Sequence, residues 1–366
     1  MIKFLDLRAQ YLSIKEEMDA AIAGVIENSA FIGGPAVRDF EVSFGAWIGS
    51  PYCIGVGNGT DAIEIAIEAL ALPPGSEVIV PANSFIATSE AVGRAGLKVV
   101  FADVDQHTYV LDPDSIRQHI TGNTRAIIPV HLYGHPCDMP AIMRIAQQHG
   151  LKVIEDCAQA HGARIDGQTV GTIGDFATFS FYPGKNLGAY GDAGAITARD
   201  EGLAKRARMI ANHGRVAKYD HEFEGRNSRL DGLQAAILST KLRHLDGWIE
   251  RRIAVADRYT DRLSGVSGLT LPHCGNRARH AYHLYVVRTA QRDALANYLK
   301  SRGIETGVHY PVALPRLAAY ASHPQAQVDF FAARMGAEVL SLPMGEHLDL
   351  DQVDVVCAAV QDFFAS

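Results

Sequence analysis

The sequence predicts an α/β fold, a largely parallel sheet with helices on both faces, followed by a smaller α+β unit. Two observations predict the first part. Short apolar runs alternate with helical patterns through the first two thirds of the chain. The runs are also almost continuously apolar, as strands buried on both faces must be. A change of pattern near Leu230 predicts the second part. With 366 residues, 48% hydrophobic and 20% charged, the chain can bury a sizeable core and exceeds one typical domain. We place the boundary so that residues 1–245 form the large unit and 246–366 the small one.

Taken in order, the strand candidates are residues 53–56, 78–80, 98–102, 126–132, 152–154, 177–181 and 194–198. Between them, residues 61–70 repeat apolar side chains at helical spacing, 89–95 form a short helix, and 141–149 run into a glycine stop at Gly150. Past Leu230, residues 233–259 read as one long, charge-rich helix with Ile237, Leu238, Leu242, Leu245, Trp248 and Ile249 as its apolar stripe. After Pro272 come a strand over 281–287, a helix over 292–302 and a C-terminal helix over 350–364. No internal repeat and no low-complexity linker interrupts this order.

Composition excludes several classes. A net charge of −7 argues against a nucleic-acid surface. Arg215, Lys218, Arg226 and Arg229 nevertheless sit together in one loop-like stretch, which reads either as a local anion site or as a solvated charged loop. The first eight residues are broken by charges, and no apolar run is long enough for a membrane span. Five scattered cysteines make no disulfide framework. These features lead us to expect a cytoplasmic protein with no membrane or nucleic-acid partner.

The chemistry gathers where strands should end. Lys185 lies in a glycine-dense loop, Ser180-Phe181-Tyr182-Pro183-Gly184-Lys185-Asn186-Leu187-Gly188, that leaves the strand at 177–181. Upstream, the apolar Val153-Ile154 ends in Glu155-Asp156. A fixed lysine and a buried carboxylate suit pyridoxal phosphate (PLP): the amine forms a Schiff base and the carboxylate keeps the ring nitrogen protonated. The turn Gly55-Val56-Gly57-Asn58-Gly59-Thr60-Asp61 opens a helix, and is either a phosphate cup or a plain capped turn. Gln159 is placed for the cofactor's phenolic oxygen, and Ser180 for its phosphate. Phe85 either stacks on the ring or belongs to the core. His161 is equally readable as structural or catalytic. His131, His135 and Cys137 lack the spacing of a zinc site, so no metal is expected, and no nucleophile elbow of a serine hydrolase is present.

Glu155–Gly162, Ser180–Gly194 and Asn227-Ser228-Arg229-Leu230-Asp231-Gly232 together resemble the DegT/DnrJ/EryC1/StrS sugar aminotransferases, over nearly the whole chain. The resemblance implies the type I PLP aminotransferase fold, a homodimer with active sites at the subunit interface, and Lys185 as the Schiff-base residue. It implies Asp156 at the ring nitrogen, Phe85 as the stacking ring, and Gly59, Thr60 and Ser180 at the phosphate. Asn227 matches the position that reaches the neighbouring subunit's phosphate. Residues 182–189 look most like enzymes that move an amino group from L-glutamate to C3 of a dTDP-linked 3-keto-6-deoxyhexose. Tyr182, His309 and Tyr310 are then candidate sugar contacts, with Arg215, Lys218 and Arg229 for the nucleotide. Amination at C4, another cyclic ketone, or a non-catalytic regulator on the same fold are the alternatives.

Overall fold

The computed structural model describes residues 1–365. Seven strands form the central sheet: β1 (Tyr52–Val56), β2 (Glu77–Pro81), β3 (Lys98–Ala102), β4 (Thr124–Ile127), β5 (Lys152–Asp156), β6 (Phe176–Ser180) and β7 (Gly194–Ala198). Their spatial order is β1-β7-β6-β5-β4-β2-β3. Only β7 runs antiparallel, between β1 and β6, so the expectation of a largely parallel sheet is met. The strands are buried on both faces because helices cover both, and helix Gly59–Ala69 is itself buried on most sides.

Sequence and structure part company at several places; the strand expected over 281–287, for one, begins only at Tyr285. The strand expected over 126–132 stops at Ile127. Pro129 has no N–H to donate, so the ladder breaks there. The chain keeps one bridge, between Val130 and Asp156, and then turns at Tyr133 with φ of 60°. The long helix over 233–259 is two helices, Gly232–Leu242 and Leu245–Leu263. Neither glycine nor proline marks the break, and the apolar period runs through it unchanged at Ala235, Leu238, Leu242, Leu245 and Ile249. At the break Arg243 and His244 both reach Glu17, at 2.6 and 3.2 Å.

Two cores result. The larger surrounds the sheet, and its ring cluster fixes the end of β6: Phe44 meets Phe179 edge-on at 5.0 Å and Phe181 at 5.3 Å, and Phe40 meets Phe181 at 5.4 Å. Truncating such a buried ring costs about 3–5 kcal/mol, which makes the strand end before Lys185 a firm foundation. The smaller core joins helices Leu245–Leu263, Arg292–Ser301 and Leu350–Ala365 to the antiparallel pair Tyr285–Arg288 and Val339–Leu342. Ile2 belongs to this second core and bridges to Ile304. Helix Leu245–Leu263 feeds both cores, with Leu245 and Ile249 in the first and Val255, Ala256, Tyr259 and Leu263 in the second. Among the described residues no helix is long and apolar enough to cross a membrane.

Candidate active site

A cavity of about 630 Å³ opens at the carboxyl ends of the strands, where parallel α/β sheets collect ligands. Asn58, Gly59 and Thr60 come from the end of β1, and Ser84, Phe85 and Thr88 from beyond β2. Asp156 and Gln159 follow β5; Ser180, Tyr182 and Lys185 follow β6. Phe4, Arg252, His283, His309, Tyr310 and Met344 close the opposite wall.

Asp156 is 4% exposed. Thr88 Oγ1 donates to its Oδ2 at 2.9 Å and the Ala158 N–H to its Oδ1 at 3.1 Å. Since the Thr88 hydroxyl hydrogen is spent on Asp156, Ser84 Oγ donates to Thr88, also at 2.9 Å. No lysine, arginine or histidine among the described residues forms an ion pair with this carboxylate. Burial pushes its pKa up, against the pull of Ala158, Thr88 and the charge of Lys185. Lys185 lines the same cavity, and burial lowers its ammonium to about 8, with Asp156 acting in the opposite sense.

At the end of β1, Asn58 caps helix Gly59–Ala69 by accepting from the Asp61 N–H at 2.8 Å. The Gly57 N–H is taken by Ser228 Oγ at 3.0 Å. The N–H groups of Gly59 and Thr60 have no partner among the described residues and stand at the positive end of the helix dipole. Gly59 packs so tightly on β6 that a Cβ there would lie 2.6 Å from Ser180 Cβ. Phe85 is 56% exposed and stands 6.1 Å from the Tyr310 ring. Gln159 is oriented by two bonds, its Oε1 accepting from the Tyr133 N–H at 2.7 Å and its Nε2 donating to Tyr310 Oη at 3.1 Å, with a second Nε2 hydrogen left over. The Tyr133 hydroxyl bonds the His309 carbonyl, and His309 Nδ1 meets Ser341 Oγ at 2.9 Å.

These residues fit PLP. A buried carboxylate without a cation is costly, and a ring N–H⁺ is the partner it lacks. Two free N–H groups beside a serine hydroxyl and a glycine suit a phosphate, and the exposed face of Phe85 suits a ring. Asn227, by contrast, is exposed and does not line the cavity, nor do Arg215, Lys218 and Arg229. Arg226 is tied to Glu64 and, at 3.0 Å, to Glu68.

Of the other polar groups singled out in the sequence, Glu155 and His131 have structural partners and His161 has none. Glu155 is 0% exposed. It accepts from Gly171, Ile173 and Gly174 N–H at 3.0, 2.8 and 2.9 Å and from His131 Nε2 at 3.1 Å. His131 Nδ1 in turn accepts from the Cys137 N–H at 2.9 Å, so the proton sits on Nε2. His161 lies between Phe179 and Phe181, 5.7 Å from each ring, with neither nitrogen partnered. Burial and the charge of Lys185 lower it to about 3.

Sequence reasoning missed Thr88, Asn186, Arg252 and His283. Asn186 follows Lys185 and donates through Nδ2 to the Ala281 carbonyl at 3.0 Å, while its Oδ1 meets His283 Nδ1 at 3.3 Å. Arg252, 2% exposed, pairs with Glu346 at 3.1 Å and donates to the Tyr282 and His283 carbonyls at 3.2 and 3.3 Å. Asn186 alone carried a signal, its place beside the lysine; the rest depend on tertiary contact.

The family model of the DegT/DnrJ/EryC1/StrS aminotransferases matches residues 12–361. The dTDP-3-amino-3,4,6-trideoxy-alpha-D-glucose transaminase of Streptomyces venezuelae is 44% identical over 99% of this chain and 96% of its own length. The dTDP-3-amino-3,6-dideoxy-alpha-D-galactopyranose transaminase of Aneurinibacillus thermoaerophilus is 44% identical over 99% of both chains. The crystal structure of S. venezuelae DesV in complex with a ketimine intermediate superposes with a TM-score of 0.97 at 44% identity, covering 100% of this chain and 99% of that one. With the cofactor pocket already assembled from its own residues, and likeness running end to end, the chain belongs to the DegT/DnrJ/EryC1/StrS aminotransferase family.

Proposed function

We propose that this protein is a PLP-dependent aminotransferase that moves an amino group from L-glutamate to C3 of a dTDP-linked 3-keto-6-deoxyhexose, on the way to a 3-amino-3,6-dideoxy sugar. The observation that carries the reading is Lys185 and Asp156 in one cavity, the first with a lowered and the second with a raised pKa. PLP supplies the electron sink that stabilises negative charge on the carbon losing its proton. Lys185 Nζ, lowered to about 8, takes that proton and gives it back, because an amine titrating near neutrality serves as both base and acid. Asp156, oriented by Thr88 and the Ala158 N–H, holds the ring nitrogen in its cationic form.

Gly59, Thr60 and Ser180 hold the phosphate in this reading, and Phe85 covers the ring. Tyr182, 60% exposed at the cavity, with His309 and Tyr310, faces the sugar. Asn227, exposed and outside its own chain's cavity, reaches the phosphate of a second subunit in a homodimer with shared sites. Arg215, Lys218 and Arg229 contact the nucleotide from the same exposed segment. Residues 1–245 then carry the cofactor and 246–366 form the smaller unit, in a cytoplasmic enzyme.

The C3 assignment draws support from the run at 182–189 and from the names of the relatives at 44% identity. The test is to incubate purified protein with L-glutamate and a panel of nucleotide-linked 3-keto and 4-keto sugars. The position of the new amine is then read by NMR. Amine at C3 of the dTDP sugar supports the proposal; amine at C4, or preference for a uridine-linked acceptor, overturns it. Lys185→Ala is expected to lose the PLP absorbance near the visible edge together with turnover.

A further inference from the structure

A second lysine lies under the Lys185 loop, outside the cavity. Lys241, near the end of helix Gly232–Leu242, is wholly buried. No carboxylate pairs with it among the described residues. Its Nζ instead donates to the Gly188 carbonyl at 2.7 Å and stands over the Tyr190 ring, 4.3 Å from its centre. An ammonium buried on these terms is costly, and an apolar side chain of similar length would suit the fold about as well. The fold alone gives no reason for the charge; what the charge holds does.

It holds the exit of the loop that carries Lys185. The Lys185 N–H donates to the Tyr182 carbonyl at 2.8 Å, and the Ala189 N–H to the Phe181 carbonyl at 2.7 Å, which closes residues 181–189 on themselves. Inside that closure Gly188 lies directly on Pro183, where a Cβ on Gly188 would collide with the Pro183 carbonyl oxygen. A shift at Gly188 therefore pushes on the entrance of the loop, two residues before Lys185. Gln234, seven residues before Lys241 and so on the same helix face, accepts from the Tyr190 N–H at 2.9 Å. One helix thus grips the same short stretch at Gly188 and at Tyr190.

We propose that Lys241 is a positioning residue for Lys185: its ammonium pins the Gly188 carbonyl and so fixes the backbone from which Lys185 Nζ reaches the reacting carbon. Lys241 itself exchanges no proton with substrate. Burial lowers its ammonium to about 8, with Glu346 acting in the opposite sense, so the charged donor prevails at neutral pH.

The inference rests on the reading of Lys185 as the base, so one arm of its test needs no cofactor. In full-length, cofactor-free protein, amide hydrogen exchange of peptides covering residues 182–191 is read by mass spectrometry. Lys241→Met should raise exchange there by about tenfold, the worth of one hydrogen bond to a charged group. β5 and helix Gly59–Ala69 should exchange as in the wild type, and the melting temperature should hold. Lys241→Gln keeps a donor without the charge and should recover part of the protection. In the holoenzyme, the single-turnover reaction with L-glutamate, followed by loss of PLP absorbance, should slow by about 10²-fold in Lys241→Met, the usual result of misplacing a reacting group by about 1 Å. The glutamate concentration for half-maximal rate should change little. Unchanged loop exchange, or an unchanged rate, overturns the proposal. So does exchange that rises evenly along the chain, or failure of both variants to fold, since Lys241 would then hold the whole structure. If the wild-type holoenzyme does not react with glutamate, the donor reading falls and the loop exchange alone decides.

Discussion

Glu155 and Asp156 are adjacent, both at the tip of β5 and both buried, yet they occupy opposite chemical worlds. Strand alternation sends them to opposite faces of the sheet. Glu155 enters a closed net of three backbone N–H groups and His131, and its pKa falls: burial raises it, but the His131 bond and the Gly171 and Gly174 N–H groups outweigh the burial. Asp156 receives two hydrogen bonds and no ion pair, and burial outweighs them and the charge of Lys185, so its pKa rises. The difference teaches that a buried carboxylate is structural when its own chain satisfies it and functional when the chain leaves it a vacancy of charge.

The largest break in that comparison is Asp156→Asn. Turnover should drop by about 10²–10⁴-fold, the usual range for a lost proton-controlling group, while the cofactor-free protein should melt at or above the wild-type temperature. A much lower melting temperature would mean that Asp156 is structural as well. Glu155→Ala should do the reverse, costing about 3–5 kcal/mol in urea unfolding because three backbone N–H groups and the His131 Nε2–H lose their buried acceptor, with activity per folded molecule largely kept.

The pH dependence of stability without cofactor should separate the two next. Glu155 has a folded pKa below its ordinary 4.5, so its contribution is present above that value and is lost as pH falls through the folded pKa. Asp156 has a folded pKa above its ordinary 3.8. The folded state then binds more protons, so stability falls as pH rises from that value through the folded pKa. Asp156→Asn should erase the second slope and Glu155→Gln the first; retention of both slopes in both variants contradicts the assignment. The smallest effect is Thr88→Val. Loss of one bond to a charged acceptor should weaken PLP binding by about tenfold, or ~1.4 kcal/mol, measured by fluorescence titration.

Much of this was legible in the sequence, and the reasons differ by residue. The strand tips at Asp156 and Lys185 announced themselves because polar groups abruptly follow apolar runs. Phe85, Ser180, Thr60, His309 and Tyr310 came through the same logic or the family likeness, and the structure gathers all of them at one cavity. The break at Arg243–His244 was invisible because the apolar period continues across it. Thr88, Arg252 and His283 were invisible for another reason, since their meaning lies in contacts with distant residues. The choice of Asp156 over its neighbour Glu155 came with the family likeness, whereas the partnership of Glu155 with His131 required the fold.

The contact between Gly59 and Ser180 sets a boundary for anyone redesigning this enzyme toward new acceptors. With a Cβ on Gly59 forced to within 2.6 Å of Ser180 Cβ, that position tolerates no side chain without moving β6, and the lysine loop moves with it. Gly194 is similarly shut, a Cβ there lying 2.5 Å from the Asn58 carbonyl oxygen. A mutational library should therefore freeze this seam and spend its diversity on the half-open wall at Tyr182, whose side chain is 60% exposed at the cavity.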